Sequence, residues 1–194
     1  LGHEGEAQEI ADRIFTLRFT GAKPAINVVI GGSSRQTSIV NSLKVLDPEA
    51  QVILIHDAAR AFQPLPVFER VAGAVRESGQ GVIPVERVTD TIKRISGDEV
   101  LETIDRESLR KAQTPQGFYG SALWQAYQTA DAEHTDDAAL FQAHGGSISS
   151  VLGHPDGFKV ANPDDLSAAA RLLAASTQLT APEQRSGIGT DVHR

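Results

Sequence analysis

The sequence predicts an α/β protein whose sheet is covered by helices on both faces, and three observations carry that expectation. Short aliphatic runs, AINVVIGG (25–32), QVILIH (51–56) and GVIPV (81–85), alternate with stretches whose apolar residues recur at helical spacing. Unbroken runs of that kind suit strands buried on two faces, so a mostly parallel sheet is expected. The chain has 194 residues, 40% of them hydrophobic, which is enough for one substantial core but not two.

Taken in order, EGEAQEIADRIFTLRF (4–19) places Ile10, Ile14, Phe15 and Leu17 on one helical face, and TGAKP closes the helix. The run 25–32 reads as a strand stopped by Gly31 and Gly32. SSRQTSIVNSLKVL then reads as a helix with Ser33 or Ser34 as cap. QVILIH is the next strand, PLPVFERVAGAVRES (64–78) a helix and GVIPV a strand. TDTIKRISGDEVLETIDR (89–106) breaks the alternation: 91–95 and 100–104 read as strands joined by Ser96-Gly97-Asp98. Its flanks are too polar for burial on both faces, so it reads as a protruding hairpin arm, with an edge meander as the alternative. GSALWQAYQTA (120–130) and TDDAALFQAHG (135–145) are expected helices, the second capped by Thr135 with acids in its first turn. SISSVLGH (147–154) reads as a strand, FKVA (158–161) as a short one, and Pro163 opens a last helix. The polar, aperiodic TQLTAPEQR (177–185) reads as a linker.

Composition narrows the function. The net charge is −7 and the cations are scattered, which argues against nucleic acid as a partner while leaving room for a local phosphate pocket. The absence of Cys excludes disulfides and thiolate metal sites. There is no apolar run of about 18 residues or more and no signal-peptide order, so no membrane association is expected and the chain reads as cytoplasmic. It starts at Leu1 in amphipathic sequence and has no Met, which reads as a fragment.

In open α/β sheets ligands gather at the carboxyl ends of strands. His56, Asp57 and Arg60 follow such an end. Asp57 there is a natural Mg²⁺ ligand, since that ion takes one or two carboxylates together with substrate phosphates. Alternatively, Asp57 caps a turn and pairs with Arg60. Gly31-Gly32 followed by SSRQTS resembles a turn that brings backbone N–H groups to a ligand, or is simply a tight turn before a helix. Gln113-Thr114-Pro115-Gln116 reads as a polar loop. Lys159, between Phe158 and Val160, must reach either solvent or an anion. His3, His134, His144 and His154 stand singly and read as surface or structural groups. In Asp191-Val192-His193, carboxylate and imidazole face one side of an extended segment and could share a cation, though two ligands are too few for a catalytic zinc.

Together, GGSSRQTSI, VILIHDAAR, TDTIKR, TIDRESL, QTPQGF, HTDDAAL and FKVANPDDL, spread over 28–173, resemble the 2-C-methyl-D-erythritol 4-phosphate cytidylyltransferase family. The resemblance implies a Rossmann-like nucleotidyltransferase sheet, with the hairpin arm crossing to a neighbouring active site in a homodimer. It implies transfer of CMP from CTP to methylerythritol phosphate in non-mevalonate isoprenoid synthesis. Ser38, with Gly31 and Gly32, would meet the nucleotide. Asp57 would hold Mg²⁺. Arg60, Thr91, Arg106, Thr114 and Lys159 would surround methylerythritol phosphate, with Arg106 and Lys159 placing its phosphate for attack. The family's first strand and Ala-Ala-Gly-x-Gly-x-Arg loop have no match here. RSGIGTDVHR (185–194) resembles the opening of 2-C-methyl-D-erythritol 2,4-cyclodiphosphate synthase, a lyase in which Asp191 and His193 would bind a divalent metal such as Zn²⁺. The expected organisation is therefore a cytidylyltransferase domain over 1–176, incomplete at its start, a linker over 177–185, and the start of a synthase domain over 186–194. Rival readings are a non-catalytic truncated fragment, or a cytidylyltransferase for another polyol phosphate such as ribitol phosphate.

Overall fold

The computed structural model describes residues 4–16 and 24–178. In chain order its elements are α1 (Glu4–Thr16), α2 (Arg35–Leu43), β1 (Val52–Ile55), α3 (Leu65–Ser78), β2 (Gly81–Arg87), β3 (Ile92–Ser96), β4 (Glu99–Ile104), β5 (Arg110–Ala112), β6 (Gln116–Tyr119), α4 (Gly120–Thr129), α5 (Asp137–Ala143), β7 (Ile148–Leu152) and α6 (Pro163–Gln178). Five of these strands form one sheet, and β3 with β4 forms a separate hairpin. β6 and β5 lie end to end along one edge of β2 through the pairings Val82 with Gly117 and Val85 with Ala112, while β7 runs parallel along the other edge. β1 closes the far side against β6.

The alternation of side chains along β1 divides the core. Val52 and Leu54 pack with the buried Val67, Val71, Val75 and Val82 on one face. Ile53 and Ile55 pack on the other, with Ile39, Leu43, Phe118, Leu123, Leu140 and Phe141. Val67, Val71 and Val75 recur every fourth residue, so α3 presents a single valine stripe to the sheet. Gly117 allows that close seating, since a Cβ there would stand 2.5 Å from Val71 Cγ1 and 2.9 Å from Leu54 Cδ2. At α2, Ser34 accepts from the Thr37 N–H while the Thr37 hydroxyl accepts from the Ser34 N–H, a reciprocal cap that fixes where the helix starts.

The arm forms as expected, with Gly97 at φ +56° in the turn and Ile92 opposite Ile104. Other expectations are corrected. The sheet is mixed rather than mostly parallel: β6 enters antiparallel between β1 and β2. The stretch 113–116 reads in sequence as a polar loop, yet 113–118 is buried. Its polar side chains are matched internally: Gln116 donates to Asp136 and accepts from the Ala138 N–H, which is what lets so polar a run lie inside. The run 25–32 is irregular, because no described strand lies beside it to complete a ladder. FKVA is likewise not a strand; Val160 donates a single backbone hydrogen bond to Ala59 O, at 2.9 Å. The cap of α5 is Asp136 rather than Thr135, because its carboxylate accepts from the Ala139 N–H at 2.8 Å. α6 runs through Gln178, past the expected start of the linker at 177. The rest of that linker and the synthase-like tail lie outside the described residues, as do 17–19 of the first helix. None of the described helices is long and apolar enough to cross a membrane.

Candidate active site

Where β1 ends, the chain passes into His56 and Asp57, and Thr114 fixes both. The Asp57 N–H donates to Thr114 Oγ1 at 3.0 Å, and the same hydroxyl lies 2.9 Å from His56 Nδ1. The His56 ring tilts against Phe68 with centroids 4.8 Å apart. Burial pushes the His56 pKa down, against opposing hydrogen bonds and the nearby Asp57, so the ring is neutral at pH 7. A turn follows in which the Arg60 N–H donates to Asp57 O at 2.9 Å. Turn and pairing are thus both present, but the turn uses the Asp57 backbone and leaves its carboxylate for other partners.

That carboxylate faces three cations. Lys159 Nζ is 3.5 Å and Arg60 Nε 3.9 Å from Oδ2, and an Arg35 amino group is 3.8 Å from Oδ1. None of these is a close hydrogen bond, so the oxygens of Asp57, itself 17% exposed, stay available to a further ligand. Arg60 is tied down by its donations to Gly157 O at 2.8 Å and Ala112 O at 3.3 Å. Burial lowers its pKa, and Asp57 opposes that shift. The segment that carries Lys159 is held at both ends. The Gln113 side chain grips His154 by its C=O (2.8 Å) and its N–H (3.0 Å), and Val160 is bonded to Ala59. Gln63, also buried, donates to Thr114 O at 2.7 Å and to Gln113 at 3.2 Å.

Behind Arg35 stands a charge that sequence reading treated only as a first-turn acid. Asp137 is fully buried and takes both Arg35 amino groups, at 2.9 and 2.6 Å, together with the Tyr127 hydroxyl. Burial works against the Arg35 charge, but the hydrogen bonds and attraction of Asp137, with a smaller pull from Asp57, outweigh it and push its pKa up. Burial, followed by the neighbouring carboxylate, pushes the Tyr127 phenol well up. With Arg35 matched by Asp137, and with Glu86, which also attracts Arg60, paired to Lys111 at 3.2 Å, Arg60 and Lys159 share the Asp57 carboxylate. That local excess of positive charge suits a phosphorylated ligand.

This family of contacts links the ends of separate elements, and the sequence carrying them matches a known family over residues 6–175: IspD, 2-C-methyl-D-erythritol 4-phosphate cytidylyltransferase. The chain belongs to that family. It is 45% identical over 194 residues to a bifunctional enzyme IspD/IspF of Clavibacter michiganensis subsp. michiganensis, covering 98% of this chain and 46% of the relative. It is 44% identical over 153 residues to a 2-C-methyl-D-erythritol 4-phosphate cytidylyltransferase of Saccharopolyspora erythraea, covering 77% of this chain and 68% of the relative. The crystal structure of the Thermus thermophilus cytidylyltransferase superposes with a TM-score of 0.71 at 34% identity, covering 79% of this chain and 78% of that one. The chain spans about half the length of the bifunctional relatives it matches.

The structure gathers Asp57, Arg60, Thr114 and Lys159 into one cluster. Thr91 and Arg106 stand apart, on exposed backbone at the root of the arm, where Arg106 donates to Thr89 O and lies 3.9 Å from Glu107. Ser38 is buried, with its hydroxyl accepting from the Gly32 N–H at 2.9 Å and donating to Ser34 O at 2.8 Å. It therefore shapes the Gly31-Gly32 turn from within. Gly32 itself has no room for a side chain, since a Cβ would stand 2.2 Å from Thr37 Oγ1. Asp191 and His193 lie outside the described residues. Sequence reading missed Arg35, Asp137, Tyr127, Gln63 and Gln113. Arg35 and Asp137 lay within quoted motifs, GGSSRQTSI and HTDDAAL, but their separation of 102 positions hid the pairing.

Proposed function

We propose that the protein carrying this chain transfers CMP from CTP to 2-C-methyl-D-erythritol 4-phosphate, giving 4-diphosphocytidyl-2-C-methyl-D-erythritol and pyrophosphate. The observation that carries this reading is the Asp57 carboxylate held at a strand end among Lys159, Arg60 and Arg35 in a chain of this family. A phosphate oxygen of methylerythritol phosphate attacks the α-phosphorus of CTP, and the bond to the β-phosphate bridging oxygen breaks. Arg60, held by two carbonyls, and Lys159, whose ammonium is half exposed beside Asp57, neutralise phosphate charge, and Thr114 keeps the Asp57 backbone in place. Such transfers need orientation and charge stabilisation more than a protein nucleophile.

Mg²⁺ fits the donor set in a limited way. Among the described residues no group of three or more His, Cys, Asp or Glu could hold a metal, so Asp57 would supply one ligand and substrate phosphates and water the others. When bound, the ion would spread the triphosphate charge. Ser38 and the Gly31-Gly32 turn would shape the cytosine side of the site. The arm, with Thr91 and Arg106 at its root, would reach a second copy of the chain and complete that copy's substrate site. Residues 186–194 would open a cyclodiphosphate synthase domain, with Asp191 and His193 as two ligands of a divalent metal such as Zn²⁺. The match over 98% of the chain to a bifunctional relative supports that reading. Water-soluble phosphorylated substrates suit a cytoplasmic enzyme.

The test is Mg²⁺-dependent release of pyrophosphate from CTP and methylerythritol phosphate by the protein at its natural length. Asp57→Ala is expected to lower turnover by roughly a hundredfold or more. Full activity in that variant would remove Asp57 from the mechanism, and faster turnover with ribitol phosphate would replace the substrate.

A further inference from the structure

Asp137 is the most deeply buried charge described, and the reaction proposed above makes no use of it. It does not float free. It is the first residue of α5, whose start is fixed to β6 by Gln116, which donates to Asp136 at 2.9 Å and accepts from the Ala138 N–H at 3.0 Å. Facing it across the sheet end, Arg35 is the first residue of α2, behind the Ser34 cap. Arg35 presents its two amino groups to the two Asp137 oxygens as a fork, a geometry that sets orientation as well as charge. One of those amino groups is also the group 3.8 Å from Asp57 Oδ1, too far for a hydrogen bond. Arg35 therefore stands between two carboxylates, bonded to the buried one and withheld from the partly exposed one. Tyr127 donates to Asp137 as well, which helps hold the buried carboxylate in place.

We propose that Asp137 is a positioning residue that keeps the Arg35 guanidinium off Asp57 and thereby sets how well Asp57 accepts a divalent cation. A guanidinium released from Asp137 has Asp57 as its nearest carboxylate. A closed Arg35–Asp57 pair would occupy Oδ1 and add to the repulsion that Arg60 and Lys159 already exert on a cation. Leaving Asp137 is costly for Arg35, because it would strand a buried charge. The inference rests on the reading of Asp57 as a metal-binding group.

The test, on the protein at its natural length, is titration with Mn²⁺ in the presence of a fixed concentration of a non-hydrolysable CTP analogue that supplies the phosphate ligands, read as the electron paramagnetic resonance signal of protein-bound Mn²⁺ against the analogue alone. Asp137→Asn keeps the shape of the side chain but removes the charge, and is expected to weaken Mn²⁺ binding by roughly threefold to tenfold. The double variant Arg35→Gln with Asp137→Asn removes the competing cation too and should bind Mn²⁺ at least as tightly as the wild type. Unchanged binding in Asp137→Asn, or a double variant as weak as the single one, overturns the inference. Should these fail to fold, Arg35→Lys keeps the buried charge pair while its shorter, unforked group cannot reach both carboxylates. It should bind Mn²⁺ at least as tightly as the wild type, and weaker binding counts against the inference. Asp57→Ala separates the two levels of argument. If it binds Mn²⁺ as well as the wild type, or if the wild type binds none, the metal reading falls and takes the inference with it. If only Asp57→Ala loses binding and Asp137→Asn does not shift it, the inference alone fails.

Discussion

The Asp57 cluster and the hairpin arm carry the residues of the proposed reaction in opposite ways. Around Asp57 most of the polar framework is fixed from inside: Thr114 and Gln63 are buried, Arg60 is bonded to two carbonyls, and Arg35 is locked to Asp137, with Lys159 the half-exposed member. On the arm, Ile95, Val100 and Leu101 are 63%, 58% and 53% exposed, and the two strands form a sheet of their own. An isolated two-stranded hairpin is marginal in water. The cluster thus draws its geometry from the fold, whereas the arm has surface left to give to a partner. Substitutions in the first should cost stability, and substitutions in the second should alter association.

The largest cost is expected at the buried ion pair. Asp137→Ala removes the fully buried partner of Arg35 and leaves the Tyr127 hydroxyl without its acceptor, so unfolding free energy should drop by about 3–5 kcal/mol in urea titrations. A drop below about 1 kcal/mol would mean that the pair is not holding the two helix starts together. Thr114→Val comes next. It preserves shape but leaves the Asp57 N–H without a partner, for about 1–3 kcal/mol. Because that bond sets the strand end, turnover should fall with it while the arm keeps its fold.

These two residues also mark what the sequence could reveal. Hydrophobic pattern gave α3, β1 and β2 to within two residues, because their burial depends on apolar side chains, whereas the exposed arm was legible from its Ser96-Gly97-Asp98 turn and polar flanks. Asp57, Arg60 and Lys159 were legible from strand ends and family motifs. β6 was not, because its burial depends on polar groups satisfied by partners elsewhere in the chain, Gln116 by Asp136 and Thr114 by His56 and Asp57. A buried glutamine and a loop glutamine look alike until the partner is seen. The Arg35–Asp137 pair was hidden for the same reason, since pairing across so long a separation leaves no periodic trace.

A smaller effect should follow pH. Burial holds the folded-state pKa of His56 below its unfolded value near 6.5, so the unfolded chain takes up a proton first as pH falls. The stability this residue contributes is complete above about pH 6.5 and is lost as pH falls through its lower folded value. The urea midpoint should therefore decline on passing from about pH 7.5 to about pH 5, and His56→Gln should decline less. Equal slopes would show that other groups control the acid limb, and that His56 is less tightly built into the cluster than its contacts with Thr114 and Phe68 imply.

The smallest change in stability is expected at the tip of the arm, and it is the sharpest test of the contrast. Arg94 and Glu102 pair across the hairpin, but both are more than half exposed, so Arg94→Ala should move stability by no more than about 0.5 kcal/mol. Val100→Glu likewise removes no contact with either buried cluster. It should leave the unfolding free energy within about 0.5 kcal/mol of wild type at concentrations where the protein is monomeric. If the arm packs on a second copy, the same substitution places a carboxylate in that apolar contact. Sedimentation should then show the dimer dissociating at protein concentrations where the wild type remains associated, with substrate turnover falling alongside. An unchanged association constant would leave Ile95, Val100 and Leu101 facing water, and Thr91 and Arg106 would then have to reach the Asp57 cluster of their own chain.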